Sequence, residues 1–255
     1  MAWLLDLDGV VWLAEQPIRG SSDAIGRLRA GGSRVFFLTN NSAPTVDDLR
    51  NKLGGMDVEV EAEDLITSAQ AAASLLEAGS VALVCAGAGV EVALAERSVK
   101  TVREGRADAV VVGFHRDFDY DRLTAAFKAI EAGARLIGTN DDPTYPTPDG
   151  AVPGGGSLLA AVATAGGVEP EVAGKPYEPF AALVRARLGD DLADSVMVGD
   201  RPSTDGLVAR RLGIPFALVL SGVTGSDEVP TDPAPDQVAP DLVSLVDRDA
   251  GQESA

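Results

Sequence analysis

One cysteine and one histidine stand among 255 residues. A lone cysteine excludes an intrachain disulfide and a zinc site built on cysteines. Cys85 lies inside an apolar run, residues 81–85, where a small buried hydrophobe is the plain reading. No apolar run approaches the roughly 18 residues of a membrane span. The N-terminus lacks a basic leader region and meets its first acid at Asp6, too early for a secretory signal. The expectation is a soluble, cytoplasmic protein. Basic residues are scarce, 21 against 39 acids, for a net charge of −18. With no basic field to attract phosphates at long range, nucleic-acid polymers and anionic membranes are excluded as partners. A small anionic substrate fits only where a metal and a local lysine reverse the potential in one cleft. The last 30 residues carry eight of the acids and a single arginine, which reads as a solvated surface.

What is present is a substantial apolar fraction, 45%, in a chain long enough for one large domain or two small ones. Short β-rich runs alternate with helical patterns almost throughout. Strands are expected at residues 3–7, 34–38, 65–67, 81–85, 109–113, 135–138, 195–198 and 216–220, with a weak one near Val238. Helices are expected from Ser21 or Ser22 to Gly31-Gly32, then at 44–53, 68–77, 119–132, 157–165, 177–188 and 205–212. The helix at 119–132 offers Tyr120, Leu123, Phe127 and Ile130 as one apolar stripe. Residues 249–255 are expected to be disordered. Strand–helix alternation implies right-handed crossovers and a mainly parallel sheet, the α/β class.

Ligands of open α/β sheets bind beyond the C-terminal ends of strands. The first strand delivers Asp6-Leu7-Asp8-Gly9 there, and the second delivers Thr39-Asn40-Asn41-Ser42. A segment near Val172 delivers Gly174-Lys175-Pro176, and the strand at 195–198 delivers Gly199-Asp200, with Asp205 five residues on. Taken singly, Asp-Leu-Asp-Gly is a turn and Gly-Lys-Pro a loop; in this order, each after a strand, they form a constellation. Asp6 and Asp200 are hard oxygen ligands suited to Mg²⁺, which takes one or two carboxylates plus waters and phosphate oxygens. Asp8 falls on the same side of the strand as Asp6. Two carboxyls so close favour opposite protonation states, one ionised nucleophile and one protonated acid. Lys175 supplies a point charge for phosphate, and Thr39 with neighbouring amides can hydrogen-bond it.

These motifs resemble the haloacid dehalogenase superfamily of phosphohydrolases, nearest its NagD-like, para-nitrophenylphosphatase-type subfamily with a C2-type cap. Asp6 through Trp12 resembles its motif I, Thr39 through Ser42 motif II, Lys175 motif III, and Gly199-Asp200-Arg201 through Asp205 motif IV. Gly138-Thr139-Asn140, Pro153 through Ser157 and Leu218 through Thr224 match further. The likeness covers residues 2–246. Pro202, Ser203 and Gly206 depart from the usual motif IV, and the cap looks shorter than usual. The resemblance implies a Rossmann-like core at residues 1–78 and 170–255 and an inserted α/β cap at 79–169. It implies Mg²⁺ held by Asp6, Asp200 and the Asp8 carbonyl, with Asp205 placing waters or Lys175, and a homodimer through the cap. It implies hydrolysis of a small phosphorylated metabolite, Asp6 as nucleophile and Asp8 as acid and base. A phosphotransferase or mutase would use the same intermediate, and a non-catalytic phosphate sensor would share the acids and the lysine.

Tyr145, in the proline-rich loop 142–148, is the candidate specificity residue, with nucleotide, polyol and sugar phosphates as the substrate types. His115 reads as a packing histidine. Gly87-Ala88-Gly89 lacks the third glycine of a dinucleotide fingerprint, and Gly154–Ser157 lacks the Gly-Lys-Ser/Thr of a phosphate loop. Trp12 is either a stacking platform for substrate or a packing residue.

Overall fold

A computed structural model describes residues 1–13, 16–147 and 150–253. In chain order its strands are β1 (Ala2–Asp6), β2 (Trp12–Leu13), β3 (Gln16–Pro17), β4 (Arg34–Thr39), β5 (Leu65–Thr67), β6 (Val81–Cys85), β7 (Lys100–Val102) and β8 (Ala109–Val112). There follow β9 (Arg135–Gly138), β10 (Thr144–Thr147), β11 (Gly150–Pro153), β12 (Glu171–Val172), β13 (Ser195–Gly199), β14 (Phe216–Val219) and β15 (Gln237–Ala239). The helices are α1 (Ser21–Ala30), α2 (Val46–Gly54), α3 (Ser68–Ser74), α4 (Ala88–Glu96), α5 (Tyr120–Glu131), α6 (Gly155–Gly166), α7 (Glu178–Leu188), α8 (Leu207–Leu212) and α9 (Leu242–Glu253). The chain divides into two compact units: Met1–Thr39, Arg50–Ile66 and Val184–Ala255 form the first, Asn40–Leu49 and Thr67–Leu183 the second.

The first unit is built on a six-stranded sheet in the order β15-β14-β13-β1-β4-β5. β1 runs parallel to both neighbours, with Leu4 opposite Met197 and Phe36. Every residue of β1 is buried, so it reads as a continuous apolar run rather than an alternation. Two expectations fail here. Ser21 does not cap α1: Gly20, at φ +81°, takes that position, and the Ser21 hydroxyl donates instead to the Val10 carbonyl at 3.0 Å. Residues 249–253 are helical, because Leu242, Leu245 and Val246 bury one face of α9 and Arg27 pairs with Asp247. Ser254 and Ala255 lie outside the described residues.

The second unit carries a five-stranded parallel sheet, β12-β9-β8-β6-β7. Leu83, Val110, Val112 and Leu136 from its strands pack with Ala126 and Ile130 of α5 and Leu159 and Val162 of α6. Asp119 caps α5 by accepting from the Arg122 N–H at 2.8 Å. Tyr120 therefore stands at the first helical position and is 81% exposed, so it leaves the expected stripe; Ile130 keeps its place in the buried face, with Ala126 and Ala129, and Leu123 packs against it half-buried. α4 and β7 escape the sequence reading because Ala88–Glu96 is apolar on nearly every side and shows no helical period. The stretch around Tyr145 is not a plain loop. β10 and β11 pair antiparallel, with Tyr145 opposite Val152; Pro148 lies outside the described residues.

Leu4 has no exposed surface, and cutting its side chain to a methyl opens a cavity in the packing against one face of the sheet. Leu4→Ala is expected to lower stability by about 2–5 kcal/mol, measured as a fall in the denaturant midpoint.

Candidate active site

In the first unit, adjacent parallel strands bring their C-terminal ends side by side. β1 ends at Asp6, β13 ends at Gly199 immediately before Asp200, and a wide helical turn, Pro202–Gly206, carries Asp205. Asp6, Asp200 and Asp205 are all buried, and one oxygen from each lies within 4.8 Å of the others. Three carboxylates this close, with no histidine or cysteine, form a donor set of hard oxygens that could hold a divalent cation.

The chain around each acid shows how it is aimed. Gly9 turns the backbone after Asp8 at φ +85°. A Cβ there would lie 2.3 Å from Asp200 Oδ2, and a Cβ on Gly222 would lie 1.9 Å from the same atom. Asp200 thus rests between two glycines. The Val223 N–H donates to Asp200 Oδ2 at 2.7 Å, the Thr224 hydroxyl donates to the Asp200 carbonyl at 2.6 Å, and the Ser221 hydroxyl to the Gly9 carbonyl at 2.6 Å. Asp205 accepts from the Arg201 N–H at 3.1 Å. The helix expected from Asp205 begins only at Leu207, because Pro202 opens a wide turn instead. Gly206 has a packing reason: a Cβ would come within 2.9 Å of Pro233 and 3.1 Å of the Phe216 ring. Asp8 accepts at Oδ1 from the Trp12 indole N–H at 3.0 Å. Thr39, buried, ends β4 and the first chain segment of the first unit.

The chain enters the second unit at Asn40, whose side chain serves Lys175. Asn40 Oδ1 accepts from the Lys175 N–H at 2.7 Å, while its Nδ2 donates to the Lys175 carbonyl and to Asp142, each at 3.0 Å. The Asn40 carbonyl in turn accepts from Asn140 Nδ2 and from the Ser68 hydroxyl, each at 2.7 Å. Ser42 and Thr139 share a hydroxyl–hydroxyl bond at 2.8 Å. The Tyr177 hydroxyl donates to Asp141; that bond, with burial, pushes its phenol up to about 12. Lys175 itself is 2% exposed. Asn41 donates to the Tyr145 hydroxyl at 3.3 Å, and the Tyr145 ring stacks on Phe114 with centroids 5.0 Å apart.

Sequence reasoning left Asn140, Asp142, Ser68, Phe114 and Val223 without a role. Asn140 and Val223 fall inside segments that match the family and Asp142 opens the proline-rich loop 142–148, which was the available signal; Ser68 and Phe114 carry none. The remaining chemistry-bearing residues are accounted for structurally. Burial pushes the Cys85 thiol up to about 11, so it is not a thiolate at neutral pH. Burial holds His115 below its usual value, and its Nδ1 is bonded to the Gly113 carbonyl at 2.9 Å. Gly87 precedes α4, and Gly89 lies against the backbone of Pro44.

Comparison with known proteins points to one family. A family model described as haloacid dehalogenase-like hydrolase matches residues 3–100, and a second, HAD-hydrolase-like, matches 172–245. D-glycerol 3-phosphate phosphatase of Mycobacterium tuberculosis is 37% identical over 251 residues, 95% of this chain and 70% of that protein. Acid sugar phosphatase of Staphylococcus aureus is 30% identical over 89% of each chain. The crystal structure of a glycerol phosphate phosphatase from M. tuberculosis in complex with magnesium superposes with a TM-score of 0.86 at 36% identity, covering 96% of this chain and 75% of that one. The chain belongs to the haloacid dehalogenase-like hydrolases. Within that family it stands with the NagD-like phosphatases, which are phosphoric monoester hydrolases.

Gly222→Ala should drive Asp200 from its place while leaving every carboxylate in the sequence. Isothermal titration with a divalent cation should show affinity reduced at least tenfold; an unchanged constant would remove Asp200 from the binding set.

Proposed function

We propose that the protein hydrolyses small phosphomonoesters, polyol or sugar phosphates foremost with nucleotides as the third type, with Mg²⁺ as cofactor and an aspartyl-phosphate intermediate. The observation that carries the reading is the buried triad formed by Asp6 and Asp200, at the C-terminal ends of parallel strands, with Asp205 on the turn that follows. The names of the relatives support the substrate class, and the magnesium complex of the M. tuberculosis phosphatase supports the metal.

In this reading a carboxylate oxygen of Asp6 attacks phosphorus in line with the leaving oxygen. The new Asp6 O–P bond forms as the P–O bond to the alcohol breaks, and Asp8 gives that oxygen its proton. Asp8, now ionised, takes a proton from water as the water attacks the acyl phosphate, which releases inorganic phosphate and restores both residues. Asp6, Asp200 and the Asp8 carbonyl would hold Mg²⁺, with Asp205 ordering waters or Lys175 beside it; when bound, the ion supplies positive charge against the phosphate oxygens. Lys175 adds a second positive charge, which an anionic substrate needs in a chain of net charge −18. The Thr39 hydroxyl and the backbone amides of Asn40 and Asn41 bind phosphate oxygens, since the Asn40 side chain is engaged with Lys175. Residues 79–169 act as the cap that excludes water and selects the leaving group.

Asp6→Asn should abolish phosphate release from glycerol phosphate. In the wild type, EDTA should abolish it and Mg²⁺ should restore it. Restoration by Zn²⁺ alone would contradict the metal assignment. In ¹⁸O-labelled water the released phosphate should carry label; transfer to an added alcohol with little labelled phosphate would point to a phosphotransferase.

The substrate-selecting side chain proposed is Tyr145, whose ring is held by Phe114 and whose hydroxyl is held by Asn41. On a panel of phosphorylated metabolites, Tyr145→Ala should change kcat/KM unevenly between substrates. A uniform effect within about twofold, less than ~0.5 kcal/mol of transition-state binding, would make it structural.

A further inference from the structure

Trp12 is 2% exposed, and two contacts define its environment. Its indole N–H points along the motif I turn and donates to Asp8 Oδ1 at 3.0 Å. The Lys52 ammonium, from the last turn of α2, stands over its ring 4.1 Å from the centroid. The backbone of the same turn is closed on itself. The Gly9 N–H donates to the Trp12 carbonyl at 2.6 Å, and the Trp12 N–H donates to the Leu7 carbonyl at 3.2 Å. These bonds fix the Trp12 main chain, and burial together with the bond to Asp8 holds the indole. Nor is it a free platform for a substrate ring, since a cation covers one of its faces.

We propose that Trp12 is the positioning residue for the proton donor of this reaction, setting which oxygen of Asp8 delivers the proton. The inference rests on the phosphatase reading above. An indole N–H can only donate, so Asp8 Oδ1 can only accept from it. A protonated carboxyl accepts better at its carbonyl oxygen than at its hydroxyl oxygen, so a donor held on Oδ1 favours carrying the proton for the leaving alcohol on Oδ2. The cation over the ring draws π density toward itself, which makes the indole N–H a stronger donor and holds the ring in place. A carboxylic acid with two interchangeable oxygens would spend part of its time presenting the wrong one. A fixed Oδ1 removes that freedom, the kind of orientation on which proton transfer in a transition state depends.

The consequence is selective. An alkyl phosphate expels a poorly acidic alcohol and needs its proton, whereas p-nitrophenyl phosphate expels a phenolate that does not. kcat/KM reports steps only as far as loss of the leaving group, so it isolates donation from the later hydrolysis. With Mg²⁺ present, Trp12→Phe keeps the ring over which Lys52 stands and removes only the N–H. It should lower kcat/KM for glycerol phosphate by about tenfold, a fraction of what general acid catalysis supplies. For p-nitrophenyl phosphate it should change kcat/KM by less than about twofold. Equal losses on both substrates, or none on either, overturn the assignment.

A second measurement does not need a folded Trp12 variant. The sequence holds two tryptophans, and the indole N–H of the other, Trp3, has no hydrogen-bond partner among the described residues. Proton–nitrogen NMR of the wild type and of Asp8→Ala should show one indole resonance move and the other stay. If neither moves, the hydrogen bond is absent in solution and the inference falls. A wild-type protein that releases phosphate from neither substrate, yet shows that shift, defeats the phosphatase reading and takes the proton-delivery role with it.

Discussion

Three buried carboxylates within 4.8 Å of one another repel, and much of the first unit exists to hold them there. Parallel pairing of β1 with β13 sets Asp6 beside Asp200, because both strands end on the same edge in register. Every residue of β1 is buried, so Asp6 reaches the sheet edge from inside the core. The glycines at 9 and 222 let backbone close around Asp200 where any side chain would collide. The N–H of Val223 then gives one of its oxygens a partner. Backbone and hydroxyl donors and close packing thus help to hold the acids in place.

The second unit solves a different problem, the fixing of a buried lysine. Asn40 pairs with both the N–H and the C=O of Lys175, as a neighbouring strand would, although no strand is there. Asn140, Ser68 and Asp142 complete the same network from three further segments. Removing one member of such a network leaves buried polar groups without partners at about 1–3 kcal/mol each, which favours keeping it whole. The second asparagine of the Thr39-Asn40-Asn41 run is tied to Tyr145, so one short segment serves both the lysine and the tyrosine.

Much of this was legible in the residues themselves. Asp6, Asp8 and Asp200 stand out because each ends or follows a strand, and strand–helix alternation alone predicts that such ends gather on one edge of a sheet; Lys175 follows β12, in the second unit's sheet. Core strands such as Val81–Cys85 and Ala109–Val112 announce themselves as apolar runs, since a parallel sheet covered on both faces needs no polar alternation. α4 stayed hidden for the same reason in reverse: Ala88–Glu96 is apolar nearly all round and offers no period to read. The β10–β11 hairpin stayed hidden because prolines around Tyr145 read as a loop.

What the sequence determined by itself is the kind of chemistry: hard oxygen donors, one lysine, no thiolate, no histidine pair, on strands that must run parallel. Those properties are local, carried by residue type and by spacing along the chain. What only the tertiary structure decided is the orientation of each group: which oxygen of Asp200 faces Val223, which backbone Asn40 grips, and that Trp12 donates to Asp8. These depend on atoms brought together from segments as much as 135 residues apart, such as Asn40 and Lys175, and a hydrogen bond has a direction that no spacing encodes.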